Sequence, residues 1–192
     1  MTTIECAKKA ARRELRARRN ALTQAERQAL SKAACDRLLA GFLANANGVV
    51  GCFSSLPGEI DTASLLAKLT EQGTETALPH TTGAGQPLVF RRYRYGDLMA
   101  AGAFGVMEPS VEQAIVEPNI LVVPLLGFNQ ACYRIGYGGG FYDRTITLLR
   151  GRGKAQTVIG LAFQCQLFDP LPVSQHDVRL DAIVTEKETL TG

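Results

Sequence analysis

Residues 119–149 constrain the fold more tightly than any other stretch. Asn119 to Leu126 reads Asn-Ile-Leu-Val-Val-Pro-Leu-Leu, the apolar, β-branched composition of a parallel strand covered on both faces. Phe141 to Leu149 has no Gly or Pro and carries Phe141, Ile146, Leu148 and Leu149, which suits the start of a helix. Between them runs Arg134-Ile135-Gly136-Tyr137-Gly138-Gly139-Gly140-Phe141-Tyr142-Asp143-Arg144, with four glycines in five positions. A strand leading through glycines into a helix is a unit of an open α/β sheet. Such sheets bind ligands at that connection.

Glycines permit positive φ and let consecutive backbone N–H groups converge on an anion, and the helix that follows offers its positive end to phosphate. The loop has no Gly-Lys-Ser/Thr ending, so it is not a Walker A loop. Phe141 stands where the dinucleotide motif requires Gly or Ala. A flexible surface turn is the alternative reading of the glycines alone. The charged flanks argue for chemistry: Arg134 and Arg144 can pair with phosphate oxygens, and Asp143 offers Mg²⁺ a hard oxygen ligand.

Elsewhere strands and helices alternate. Thr3 to Asn20 lacks Gly and Pro and is rich in helix formers, with Lys8 and Arg12 four apart on one face. Residues 1–19 hold seven Lys or Arg against two Glu, so the positive charge of the chain belongs to this helix. Such a face is either solvated or presented to a polyanion, RNA included. Thr23-Gln24-Ala25-Glu26 is a capping box that opens a second helix running to about Leu43. Val49 to Phe53 reads as a strand, Pro57-Gly58 as a turn and Ala63 to Gln72 as a helix. Glu59, on that connection, is either a solvated carboxylate or a ligand contact. Further strands are expected over 75–79, 88–94, 104–107 and 157–162, with 182–185 the last. His80 reads as structural or as a loop donor.

The alternation predicts one domain spanning 1–192, of α/β class: a three-layer αβα arrangement with a mostly parallel, Rossmann-like open sheet and an N-terminal helical pair. At 46% hydrophobic and 20% charged the composition is that of a soluble globular chain. No apolar run approaches the ~18 residues of a membrane span, and the basic N-terminus lacks the apolar core of a signal peptide, so a cytoplasmic location is expected. Five scattered cysteines and two histidines supply neither a disulfide framework nor a His-based metal cluster. Phosphate chemistry would have to rely on Arg, Lys, Asp and backbone.

Three segments together resemble the 5-formyltetrahydrofolate cyclo-ligase family, also called methenyltetrahydrofolate synthetase: Lys8-x-x-x-Arg12, Ser54 to Thr62 with Glu59, and Pro124-x-x-Gly127-Phe128 running through Arg134 to Arg144. His176-Asp177 to Asp181 is similar to the family's closing segment. The resemblance implies an ATP- and Mg²⁺-dependent conversion of 5-formyltetrahydrofolate to 5,10-methenyltetrahydrofolate, with ADP and phosphate released. It implies that Lys8, Lys9 and Arg12 contact ATP, with Arg134, Ile135, Gly136, Tyr137, Gly138, Gly139, Gly140, Phe141 and Tyr142 forming the ATP loop. Lys8, Arg12, Arg134 and Asp143 would carry catalysis, Asp143 and Asp177 the metal, and Ser54, Glu59 and Tyr142 the folate. Many relatives carry a basic residue inside the glycine run, where this chain has Tyr137 and Gly139, and some have Asp at the position of Asn129.

The residues suit such chemistry. A formamide carbon resists attack until its oxygen becomes a leaving group, and phosphorylating that oxygen gives an imidate phosphate that N10 of the folate can attack. Phosphoryl transfer is mainly positioning and charge neutralisation, so no protein nucleophile is required. Two rival readings are a small-molecule kinase using the same loop and a nucleic-acid-binding module using the basic helix. At 7% aromatic and without Trp, the chain has no stacking platform for the latter. The expected partners are ATP and a small-molecule folate, with no nucleic acid and no membrane, acting on a monomer.

Overall fold

The structure is a computed structural model that describes residues 3–155 and 157–192. Helix α1 (Thr3–Asn20) is followed by α2 (Gln24–Leu38), which closes in a π turn over Leu39–Leu43. The capping box forms: Thr23 Oγ1 accepts from the Glu26 N–H at 3.2 Å and Glu26 Oε2 accepts from the Thr23 N–H at 2.7 Å. Then come β1 (Val49–Gly51), α3 (Ala63–Glu71), β2 (Glu75–His80), β3 (Val89–Arg92), β4 (Met99–Ala101), β5 (Met107–Pro109), β6 (Ile115–Val116) and β7 (Ile120–Val123). The chain closes with β8 (Gly127–Phe128), β9 (Arg134–Ile135), α4 (Phe141–Gly151), β10 (Thr157–Leu161), β11 (Ala182–Val184) and β12 (Thr189–Thr191).

The main sheet has the order β12-β11-β10-β7-β1-β2-β3-β6. Its centre, β11-β10-β7-β1-β2, is parallel, and β12, β3 and β6 add antiparallel edges. Both faces are covered, which is why the central strands read as continuous apolar runs. Val122, Ile159 and Leu78 pack with Leu38 of α2 and Leu65 and Leu69 of α3. Leu121, Val123, Val158 and Ala77 point the other way, toward Ile146 and Leu149 of α4. The strand period of two thus sorts neighbouring residues into two cores, giving the expected helix–sheet–helix layering.

Three expectations need correction. The single strand over 104–107 is a hairpin, β4–β5, whose turn carries Phe104 at φ 59°. Strand β11 is not the last, because β12 returns antiparallel to it. The glycines do not follow the apolar strand directly, since the hairpin β8–β9 lies between β7 and the loop. Strands of two or three residues are too short to show a period.

Strand order fixes the place of the site. From β1 the chain crosses to β2 on one side, and from β7 it crosses to β10 on the other, although β1 and β7 are hydrogen-bonded neighbours. That divergence is a topological switch point, and it leaves a crevice outside the strands' carboxyl ends. Helix α1 closes over it: Ala11 and Leu15 pack against Leu126, Ile135 and Leu171. The approach is close, as a Cβ at Gly127 would lie 2.3 Å from a methyl of Leu15. Leu15→Ala should therefore lower stability by about 2–5 kcal/mol in a denaturant titration, the loss typical of a fully buried leucine.

Candidate functional site

The crevice opens into a cleft of about 1170 Å³ lined by several elements. Helix α1 contributes Lys8 and Arg12, the loop after β1 contributes Ser54, Leu56 and Glu59, the glycine loop contributes residues 134–144, and the C-terminal segment contributes Ser174 and Asp177. Every site residue expected from the sequence lines it except Lys9, which is exposed on another side of α1.

The cations are already engaged. Arg12 Nε donates to the Gly136 carbonyl at 2.8 Å, and its guanidinium lies against Gly138, where a Cβ would be 3.6 Å from Cζ. Lys8 Nζ donates to Asp177 Oδ1 at 2.6 Å and to Ser174 Oγ at 3.1 Å. Burial raises the Asp177 pKa, but the Lys8 ammonium and the Ser174 N–H and hydroxyl outweigh it and leave the carboxyl below its ordinary value. Lys8 and Arg12 thus face inward rather than toward a polyanion in solvent. Lys9, Arg13, Arg16 and Arg18 are the exposed basic residues of the helix.

Gly138 at φ 104° and Gly140 at φ 66° give the glycine loop its path, and Gly140 is the N-cap of α4. Just inside the helix, Asp143 Oδ1 accepts from Arg134 Nη2 at 2.9 Å, and the Arg134 side chain is only 4% exposed. Arg144 Nη2 donates to the Gly139 carbonyl at 2.7 Å while its guanidinium lies 5.4 Å from the Phe141 ring centroid. Asn129 Oδ1 accepts from the Tyr133 N–H at 3.0 Å, so this residue closes the β8–β9 turn.

Glu59 is buried at 9% exposure. Its Oε2 accepts from the Leu56 N–H at 2.9 Å and its Oε1 from the Tyr137 hydroxyl. Burial raises the Glu59 pKa, with Tyr137, the Leu56 N–H and Arg19 opposing. The Tyr142 phenol, packed between the two cores, is pushed well above its ordinary pKa first by burial and then by the charge of Glu59.

A Mg²⁺ ion commonly takes one or two carboxylates with substrate phosphates completing its shell. Asp143 fits that requirement: it is 29% exposed, and only Oδ1 is engaged among the described residues. Asp177 fits only if Lys8 moves, since both its oxygens accept from Lys8. No cluster of three or more His, Cys, Asp or Glu suited to a metal occurs among the described residues. None of their helices is long and apolar enough to cross a membrane.

Sequence reasoning missed the hairpin side of the cleft. Phe104 stacks edge-on against Phe141 with centroids 5.7 Å apart, and Glu108, 4% exposed, pairs with His80 Nδ1 at 2.7 Å. The pairing spans 28 residues and has no local signal. Ser174, the partner of Lys8 and Asp177, was also unread.

Across residues 4–186 the chain matches the family model described as the 5-formyltetrahydrofolate cyclo-ligase family. The chain belongs to that family. The 5-formyltetrahydrofolate cyclo-ligase of Escherichia coli strain K12 is 34% identical over 177 residues, covering 89% of this chain and 96% of the relative. That of Haemophilus influenzae is 36% identical over 136 residues, covering 68% and 72%. The solved structure of the Aquifex aeolicus 5,10-methenyltetrahydrofolate synthetase superposes with a TM-score of 0.82 at 29% identity, covering 96% of this chain and 92% of that one. The protein is accordingly an enzyme of the cyclo-ligase family, with the mostly parallel α/β fold of its structural relatives.

The glycines differ in what the loop asks of them. Gly138→Ala should lower stability by about 1–2 kcal/mol, because an L side chain is strained at its positive φ. Gly136→Ala should be nearly neutral, its added Cβ meeting only Arg134 Nη1 at 3.5 Å. Parallel denaturant titrations check the pair.

Proposed function

We propose that this enzyme converts 5-formyltetrahydrofolate to 5,10-methenyltetrahydrofolate with ATP and Mg²⁺, releasing ADP and phosphate. The observation that carries the reading is the switch-point cleft itself. There a glycine cradle capped by Lys8 and Arg12 stands beside a buried carboxylate, Glu59, borne on the neighbouring strand's loop.

The triphosphate fits the cradle, where backbone N–H groups and the start of α4 favour negative charge. Lys8, Arg12 and Arg134 are within the same cleft to neutralise it. Asp143, with Asp177 as a second carboxylate, would hold Mg²⁺, which supplies charge neutralisation at the phosphate oxygens. Glu59, with Ser54 and Tyr142, orients the folate so that its formyl oxygen meets the γ-phosphorus.

The formyl oxygen then forms the new P–O bond as the bond to ADP breaks. N10 next attacks the formyl carbon and gives up its proton. The C–O bond breaks, and phosphate departs carrying the former formyl oxygen. Lys8 and Arg134 balance the charge that shifts between phosphates, and the folded-over α1 limits water at the activated formyl group.

Incubation of the protein with 5-formyltetrahydrofolate, ATP and Mg²⁺ should produce the near-ultraviolet absorbance of a methenyl folate, and omission of any one component should abolish it. A phosphorylated acceptor without that absorbance would favour a kinase. Asp143→Asn should reduce turnover by roughly 10²-fold or more with folate affinity kept, as expected for loss of an electrostatic contact to the transition state. Glu59→Gln should weaken folate binding and leave ATP affinity in place, as equilibrium titrations with each ligand would show.

A further inference from the structure

Arg19 lies in the last turn of α1, on the same face as Lys8 and Arg12, but it does not line the cleft and no role above uses it. It is 4% exposed. A guanidinium has five N–H donors to satisfy, yet Arg19 Nε is buried with no hydrogen-bond partner among the described residues. Nη1 donates to the Tyr137 hydroxyl at 2.6 Å, and the guanidinium lies 5.8 Å from the centroid of the Tyr137 ring. It also lies along the loop that bears Glu59, since a Cβ at Gly58 would be 3.6 Å from both Nε and Nη2. Packing alone would be served as well by an apolar side chain of similar volume, without the desolvation of a charge.

The Tyr137 hydroxyl that accepts from Arg19 donates its own proton to Glu59 Oε1, and the Leu56 N–H donates to Oε2. An ionised carboxylate offers about four lone-pair positions. With one used on each oxygen, one remains on each, matched to two adjacent parallel N–H donors. The ring N–H and exocyclic amino group of an amino-pyrimidinone present that pair.

We propose that Arg19 is the positioning residue of the folate-binding carboxylate, holding Glu59 through the Tyr137 hydroxyl so that both its oxygens can receive the amino-pyrimidinone edge of a pteridine. This inference rests on the reading of Glu59 given under Proposed function. It also gives Tyr137 a task within the glycine run: the loop that cradles phosphate and the carboxylate that takes the pteridine share one hydrogen bond.

The arrangement has a signature in pH. Glu59 is faced by Arg19 from α1, by Tyr137 from the glycine loop and by Tyr142 from α4, with Arg134 beside Tyr142. Burial already holds the Glu59 pKa up, and Arg19 is a cation that pulls it down. Removing Arg19 raises that pKa further, so the ionised form that accepts two N–H donors is reached only at higher pH.

The test is calorimetric titration of 5-formyltetrahydrofolate into the full chain, with Mg²⁺ and a non-hydrolysable ATP analogue, between about pH 5 and pH 9. Arg19→Gln should bind folate on the order of tenfold more weakly near neutrality and recover as pH rises, while Arg19→Lys should keep most of the wild-type profile. Tyr137→Phe, which keeps the cation but removes the relay, should also weaken folate binding severalfold. Wild-type affinity in Tyr137→Phe, or an Arg19→Gln loss equal at every pH and not rescued by Lys, would overturn the proposal. If Arg19→Gln unfolds, Tyr137→Phe decides alone. Glu59→Gln separates the two levels. Unchanged folate affinity in that variant removes the reading of Glu59, whereas a loss there with none in the Arg19 and Tyr137 variants removes only the positioning role.

Discussion

The neighbourhood of β1 and β7 is the constraint on which the site depends. The two strands are locked together at their amino ends by Asn119, whose Oδ1 accepts from the Val49 N–H at 2.7 Å and whose Nδ2 donates to the Asn47 carbonyl at 2.7 Å. At the other end the chains diverge, toward α3 on one face of the sheet and α4 on the other. The backbone that leaves β7 would carry unpaired carbonyls into a buried region, a costly arrangement. Gln166, itself buried, removes that problem by donating from Nε2 to the carbonyls of Leu125 and Leu126 at 2.7 and 3.0 Å. The glycine loop therefore starts from an anchored stem.

Apolar contact sets the electrostatic geometry of α1. Leu15 and Ala11 seat the helix on Leu126, Ile135 and Leu171, and glycine at 127 is what lets Leu15 come so near. With Leu15 buried, residues 8, 12 and 19 fall on the same side, because they are separated by about one and three turns of 3.6 residues. The seat thus aims Lys8 and Arg12 at the cradle and Arg19 at Tyr137, and leaves Arg13 and Arg16 in solvent.

What could be read from sequence was what a local pattern dictates. The apolar runs at 120–123 and 157–161 are covered on both faces, the Thr23–Glu26 box satisfies itself within four residues, and the i, i+4 spacing of Lys8 and Arg12 places them together. Residues 127–128 and 134–135, by contrast, are two-residue strands held by their partner and by the turn at Asn129, and no periodicity can mark them. His80 with Glu108, and Arg19 with Tyr137 and Glu59, meet only through tertiary packing. Lys9 marks the limit of inference from a neighbour: one residue on from Lys8 is about 100° around the helix, and its side chain is exposed there.

The cations that line the cleft have to be solvated or paired, because an isolated buried charge would carry a penalty of several kcal/mol. This chain pairs each one internally: Lys8 with Asp177, Arg134 with Asp143, Arg12 with the Gly136 carbonyl and Arg144 with that of Gly139. On the proposed reading, phosphate oxygens compete for Lys8 and Arg134, and each cation drawn away uncovers a carboxylate. The uncovered Asp143 and Asp177 are then anions beside a polyanion, unfavourable unless a divalent cation enters with it. Nucleotide and metal would therefore be required together by charge balance alone, without a preformed metal cage. On that reading, the carboxylates that pair with Lys8 and Arg134 here would become metal ligands once nucleotide binds.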